Sequence, residues 1–235
     1  MLPMIIFLFL GHSNMQGYCA AMDTIPNAHV WTYTAARGFF NCTDKDLGSG
    51  SGSPVMPFLK RMAAQYPGYN FCGIKHASPC QQAMHILGEE RHRECLQNQI
   101  SQVRGKGTFG GVCLMYGVVE NQFNNVETLD NELAGIIVFV RENTGVSDLP
   151  VILGRFEENG NHKTAAPMYK YERRTVREID SMPFKIAHLI LAPRKPVPAA
   201  MFCDNHHYSA SGYDLWAHDA VDLYIANNFD AWRKR

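Results

Sequence analysis

The chain has no excess of charge of either sign and no long hydrophobic segment. Its 22 lysines and arginines equal its 22 aspartates and glutamates, and charged residues make up only 19% of the 235 residues. A net charge of zero argues against nucleic acid or an anionic membrane surface as the partner, since both require a basic face. No apolar run approaches the roughly 20 residues of a membrane-spanning helix. With 46% apolar residues, the composition predicts a globular domain with a large core.

The sequence also lacks the cysteine spacing of a metal cage. Its seven cysteines include no C-x-x-C pair, so we predict neither a metal nor a cofactor. The odd number leaves at least one thiol outside any disulfide within the chain.

Residues 2–10 have the length of a signal-peptide core, but no basic residue precedes them and no small-x-small cleavage site follows. We interpret them as a buried first strand. The glycosylation sequon at Asn41 favours secretion over a cytoplasmic location, while the disulfide pattern and the oligomeric state stay open.

Short apolar runs alternate with segments of helical periodicity along the chain. The runs are nearly continuous, which is typical of strands buried on both faces of a parallel sheet. This alternation predicts one α/β domain over residues 1–235, a three-layer α/β/α sandwich with a flavodoxin-like parallel sheet of about five strands. The predicted strands are Pro3–Leu10, Tyr69–Ile74, Gly111–Val118, Leu149–Leu153 and Phe184–Leu191, and the predicted helices are Pro57–Gln65, Val126–Glu142, an exposed Met168–Asp180 and Ser211–Trp232.

Two segments at opposite ends of the chain carry residues suited to nucleophilic catalysis. Ser13 follows the first predicted strand, where its hydroxyl can face a cleft beside backbone N–H groups. Asp204 and His207 are three residues apart before the last helix, a spacing at which a carboxylate can orient an imidazole base. Taken separately, Ser13 is better explained as a helix cap, and the second segment can be a solvated turn. The pair His206-His207 also raises metal binding, but no third ligand has suitable spacing.

Together the two segments resemble the SGNH hydrolases, and within them the group of sialate O-acetylesterases and family-six acetylxylan esterases. Those proteins carry G-Q-S-N-M-x-G near the start, and residues 11–17 here read G-H-S-N-M-Q-G. They carry D-x-x-H-x-x-x-x-G near the end, which Asp204, His207 and Gly212 match. His206 competes as the base but does not keep these offsets. The resemblance spans the whole domain.

The resemblance implies a role for each matching residue. Ser13 is the nucleophile, His207 the base and Asp204 the acid that orients it. The oxyanion hole is formed by the N–H of Ser13 together with that of Gly52 or Ser53. Two alignments of this chain with the family pattern differ by one residue here and place one or the other at the donor position.

The third block of the family is incomplete in this chain. Its pattern Q-G-E-x-D donates a glutamine side chain to the oxyanion, whereas here Val118 and Val119 precede the retained Glu120. Loss of one oxyanion donor typically lowers the rate about a hundred- to a thousand-fold. His12, in place of a glutamine, is a second departure. Glu120 is also an alternative acid for the histidine, or simply a capping carboxylate.

The activity implied by the resemblance is hydrolysis of O-acetyl esters on a sugar or polysaccharide, such as xylan or a sialic acid, without a cofactor. The substrate is then the expected partner. The alternative is a catalytically weakened member that binds acetylated carbohydrate without turnover, which the valines of the third block favour. Aromatic residues near the predicted cleft are candidates for stacking on sugar rings, although such residues usually belong to the core; they are Tyr18, Trp31, Tyr33, Phe39, Phe40, Tyr208 and Tyr213.

Overall fold

The structure, a computed structural model, describes residues 2–18, 21–47, 51–79, 81–116, 128–155, 173–193, 198–203 and 207–234. In this part of the chain seven strands form one sheet in the order β3-β2-β4-β1-β5-β6-β7. β3 pairs with β2 in antiparallel orientation, and the other pairs are parallel. The strands are β1 (Met4–Gly11), β2 (Val30–Thr34), β3 (Gly38–Asn41), β4 (Asn70–Ala77), β5 (Thr108–Met115), β6 (Val151–Gly154) and β7 (Leu189–Ala192).

Helices cover both faces of this sheet. They are α1 (Ser13–Gln16), α2 (Val55–Gln65), α3 (Ala83–Gly88), α4 (Glu90–Val103), α5 (Leu129–Thr144), α6 (Arg173–Lys185) and α7 (Ala210–Ala226). On one face, Phe7 of β1 contacts Phe58 of α2 and Tyr224 of α7 edge to face. On the other face His76, in register with Leu10, reaches Gln99 of α4, and α3, α4 and α5 pack against one another. The α/β class and the three layers are therefore as predicted.

β1 lies at the centre of the sheet and ends at the candidate site. It pairs with β4 on one side and with β5 on the other, and every one of its eight residues is buried. A strand enclosed on both faces and both edges needs an uninterrupted apolar sequence, which MIIFLFL supplies. Because Gly11 ends the strand and Ser13 begins α1, Ser13 is held at the carboxyl edge of the sheet, where ligands bind in open α/β folds.

The sequence prediction was wrong in several elements. The hairpin β2–β3 and the helices α3 and α4 were missed, so the sheet has seven strands rather than about five. Residues 184 and 185 belong to the end of α6, and Phe184 is 93% exposed, so the last strand begins only at Leu189. The predicted exposed helix lies at Arg173–Lys185 and buries Ile179 and Met182. The last helix ends at Ala226, not at Trp232. No helix of the described residues has both the length and the apolar character needed to cross a bilayer.

Candidate active site

The structure brings Ser13 and His207 into hydrogen-bonding contact. Ser13 Oγ and His207 Nε2 lie 2.8 Å apart, although the residues are 194 positions apart in the sequence. Both side chains are nearly buried, with 8% and 6% of their surface exposed. A serine hydroxyl within 3 Å of an imidazole nitrogen is the arrangement in which the base can remove the hydroxyl proton as the oxygen attacks.

Local sequence fixes the position of Ser13. His12 is the N-cap of α1, and its Nδ1 accepts a hydrogen bond from the N–H of Asn14 at 3.3 Å. The chain enters the helix through the bond from His12 N–H to Met115 O, 3.2 Å, which ties the turn to β5. In the described part of the chain the N–H of Ser13 donates to no acceptor, so this group is available to an oxyanion. The histidine that departs from the family pattern therefore has a structural role as a cap.

The loop that carries His207 is built from two paired arms. Cys203 N–H donates to His207 O at 3.0 Å, Ser209 N–H donates to Met201 O at 2.9 Å, and Phe202 and Tyr208 form an antiparallel bridge. These arms place His207 next to the start of α7, whose N-cap is Ser209. The backbone pairing of residues 201–203 with residues 207–209 thus fixes the position of His207.

Two further side chains hold the imidazole against Ser13. The Oδ1 atom of Asn14, which is fully buried, accepts a hydrogen bond from Tyr208 N–H at 3.0 Å. Asn14 therefore joins α1 directly to the residue after His207. The ring of Tyr18 stacks on the imidazole with centroids 4.1 Å apart and planes 19° apart. Because Tyr18 is 59% exposed, it forms part of the wall between His207 and solvent.

The segment of Gly52 and Ser53 lies beside α1. A Cβ on Gly17, the residue after α1, would come within 2.4 Å of Gly52 O and 2.8 Å of Ser51 O. Ser53 Oγ donates to Asp44 Oδ1 at 3.0 Å, and Asp44 Oδ2 accepts from Asp23 N–H at 2.7 Å. Burial raises the pKa of the Asp44 carboxyl, and the hydrogen bonds from Asp23 and Ser53 oppose that rise. The segment is therefore anchored to a buried carboxylate.

Comparison of the sequence with protein-family models and with curated proteins finds no match. Solved structures are similar over nearly the whole chain. A protein from Arabidopsis thaliana is 17% identical with a TM-score of 0.77, covering 96% of this chain and 99% of its own. A carbohydrate acetylesterase from Xanthomonas citri is 15% identical with a TM-score of 0.61, covering 93% of this chain and 55% of its own. An acetylxylan esterase, Axe2 from Geobacillus stearothermophilus, is 13% identical with a TM-score of 0.54, covering 92% of both chains.

The chain has the fold of the SGNH hydrolases. Several residues to which the family pattern assigns a role in this fold lie outside the described residues; they are Asp204, His206 and Glu120, together with Val118 and Val119 of the third block. The acid that orients His207 therefore stays a prediction. Cys203 is disulfide-bonded, while Cys42, Cys72, Cys95 and Cys113 are free, so its partner is also outside the described residues.

Three of the aromatic residues proposed for sugar stacking lie close to His207 or in the core beside it. Tyr208 and Tyr213 are buried, so they belong to the core and are not free to meet a ligand. Tyr18 is exposed and stacks on His207, so among the described residues it is an aromatic side chain in contact with the candidate site. Among the described residues no group of three or more His, Cys, Asp and Glu side chains could hold a metal ion.

Sequence reasoning missed three supports of the site. Asn14 was treated only as part of a motif, although it carries the contact to Tyr208. Asp44 precedes residues 52 and 53, the predicted oxyanion donors, and the sequence gave no separate reason to select it. Lys75 donates to Gln16 O at 2.9 Å; a lysine inside the otherwise mainly apolar run of β4 was a signal that could have been noticed.

Proposed function

We propose that the protein is a carbohydrate O-acetylesterase that hydrolyses acetyl esters through Ser13 as the nucleophile and an acyl-enzyme. The observation that carries this proposal is the 2.8 Å contact between Ser13 Oγ and His207 Nε2 at the carboxyl edge of the sheet. The similar structures include a carbohydrate acetylesterase and an acetylxylan esterase, which supports acetylated carbohydrate as the substrate class.

The reaction has two acyl transfers. His207 Nε2 takes the proton of Ser13 while Oγ attacks the ester carbonyl, and the N–H groups of Ser13 and of the 52–53 segment stabilise the oxyanion. The carbon–oxygen bond to the sugar breaks, and His207 gives its proton to the leaving alcohol. Water then attacks the acyl-enzyme with His207 as base, and the proton returns to Ser13 as acetate leaves.

The Ser13→Ala variant tests the nucleophile. We expect the wild type to hydrolyse 4-nitrophenyl acetate and to release acetate from acetylated xylan, and Ser13→Ala to lose about 10⁴-fold or more of that rate. The matched control is Ser101→Ala, since Ser101 is an exposed serine on α4. A fluorophosphonate probe should label the wild type and the control but not Ser13→Ala.

Equal rates for the wild type and Ser13→Ala on every acetyl ester, with no labelling, would contradict the proposal. Saturable binding of acetylated xylo-oligosaccharides without turnover would then support the second function, a carbohydrate-binding member of the fold. The observation in its favour is the pair Val118 and Val119 in place of the glutamine and glycine of the third block.

A further inference from the structure

Lys75, on β4, contacts the end of α1, the helix that begins with Ser13 and is the nucleophile helix of the proposed function. It lies on β4 in register with Phe9 of β1, and its Nζ donates to Gln16 O at 2.9 Å. Gln16 is the last residue of α1, and Ser13 is the first. A cation at the carboxyl end of a helix satisfies a carbonyl that has no partner within the helix. The ammonium therefore fixes the end of the four-residue helix that presents Ser13.

Asp44 is the charged residue that anchors the 52–53 segment. Its carboxylate holds the Ser53 hydroxyl at 3.0 Å, and it is the charge that acts on Lys75. Asp44 is buried and Lys75 is partly buried, so each carries a desolvation penalty that the opposite charge offsets. The charge of Lys75 therefore acts through space on the carboxylate that anchors the 52–53 segment, and it contacts the nucleophile helix directly.

The end of α1 and the oxyanion segment, residues 51–53, contact each other at Gly17. Gly17 has φ of 95° and packs on the carbonyl groups of Ser51 and Gly52, so closely that a Cβ would overlap them. The helix end bound by Lys75 and the segment bound by Asp44 are therefore in direct contact. A displacement of either is transmitted to the distance between Ser13 Oγ and the oxyanion donors.

We propose that Lys75, as an ammonium ion, is a positioning residue that holds the nucleophile helix and, through the contact at Gly17, the oxyanion segment in the geometry for reaction. The proposal rests on the proposed function, since Ser13 must be the nucleophile for the position of its helix to matter. Its consequence is that the rate falls on the alkaline side when Lys75 loses its proton.

The surroundings of Lys75 allow this titration. Burial lowers its pKa to about 8, and the charge of Asp44 opposes that shift. Among the described residues, the titratable groups around it are Asp44 and Asp46 from the segment after β3 and Tyr33 from β2, while α1 presents a carbonyl and α4 presents the amides of Gln99 and Gln102. A cavity of about 290 Å³ lined by Lys75, Tyr33 and Asp46 gives water access to the ammonium.

The test is the pH profile of kcat for 4-nitrophenyl acetate from pH 6 to 10, with the Ser13→Ala rate subtracted at each pH. We expect the wild type to lose activity above about pH 8, mainly in kcat. Lys75→Met should lower kcat roughly ten- to a hundred-fold at pH 7, the effect of a small misplacement of reacting groups, with KM changed less than about twofold. Lys75→Arg keeps the charge throughout this range, so the loss above pH 8 should disappear.

Two further variants separate positioning from a general structural role. Asp44→Asn removes the charge that raises the Lys75 pKa, so the alkaline loss should move to lower pH. Lys45→Met, at an exposed lysine in the same segment, should leave the profile unchanged. If Lys75→Met does not fold, as judged by circular dichroism, the Lys75→Arg and Asp44→Asn profiles decide the question.

The proposal is overturned if Lys75→Met keeps the wild-type kcat, or if Lys75→Arg keeps the alkaline loss near pH 8. These outcomes differ from failure of the proposed function, in which the wild type would be no faster than Ser13→Ala at any pH.

Discussion

Asn14 joins the two segments that carry the proposed nucleophile and base. Its Oδ1 accepts the Tyr208 N–H at 3.0 Å in a fully buried environment, so Asn14→Ala leaves that N–H without this acceptor. A buried donor deprived of its partner costs about 1–3 kcal/mol, and His207 is one residue away. We expect Asn14→Ala to lower the free energy of unfolding by this amount and kcat by ten- to a hundred-fold, on the order of the effect of a 1 Å misplacement.

The control for this variant is Asn143→Ala. The Asn143 side chain also takes part in a hydrogen bond, but as a donor to Phe139 O at 2.8 Å on α5. Urea denaturation and the kinetics of 4-nitrophenyl acetate hydrolysis check both variants. A loss of stability in Asn14→Ala with kcat unchanged would mean that the Ser13–His207 contact does not depend on this hydrogen bond.

At the scale of elements, α1 and the 51–53 segment meet at a position that only glycine fits. Gly17 has a positive φ, and a Cβ there would approach Gly52 O to 2.4 Å. A residue forced into this conformation costs about 1–3 kcal/mol, and relief of the overlap requires the two segments to separate. We therefore expect Gly17→Ala to lower the free energy of unfolding by at least this amount and kcat by about tenfold or more.

Gly68→Ala is the matched control, because a Cβ at Gly68 would meet nothing within 4 Å. Thermal unfolding and kcat are measured for both. A kcat for Gly17→Ala equal to that of Gly68→Ala would show that the contact between the two segments is not required for the reaction.

The elements that sequence predicted best are those with the strongest burial. β1 and β6 are buried at every residue, and continuous apolar runs mark them. The helix α4 was missed because only Leu96, Ile100 and Val103 are buried among its fourteen residues, too few to produce a clear periodicity. The hairpin β2–β3 has partly exposed residues and lies at the edge of the sheet, so its sequence carries little pattern. Such elements form because neighbours in space support them, which periodicity does not record.

For the molecule as a whole, the topology explains which site residues could be predicted. Ser13 and His207 were predicted together because each belongs to a motif at a strand end, and the sheet brings these ends to one edge. Asp44 and Lys75 carry no motif, and their relation depends on how β4 packs on α1 and on the segment after β3. Sequence reasoning therefore predicted the Ser13–His207 pair and missed the groups that support it.

A buried ammonium at Lys75 also has a consequence for the stability of the whole domain. Its pKa is about 8 in the folded protein against 10.5 for an ordinary lysine, so between these values the unfolded chain binds more protons than the folded one. Deprotonation of Lys75 therefore increases the free energy of unfolding as the pH rises from about 8 to 10.5. The increase is at most about 3 kcal/mol, because each unit of pKa difference corresponds to about 1.4 kcal/mol. Below pH 8 the buried charge lowers stability by its full amount.

Urea denaturation of the wild type and Lys75→Met from pH 7 to 11 isolates this contribution. The raised pKa of the buried thiols Cys72 and Cys113 and of Tyr208 makes both proteins less stable at alkaline pH, and these effects cancel in the difference. We expect the free energy of unfolding of the wild type, relative to that of Lys75→Met, to increase by about 3 kcal/mol across this range. A difference that stays constant with pH would mean that the Lys75 pKa is not lowered by burial. We therefore expect Lys75→Met at pH 7 to lose kcat without a proportionate loss of the free energy of unfolding. This result is typical of a charged residue that serves function at a cost in stability.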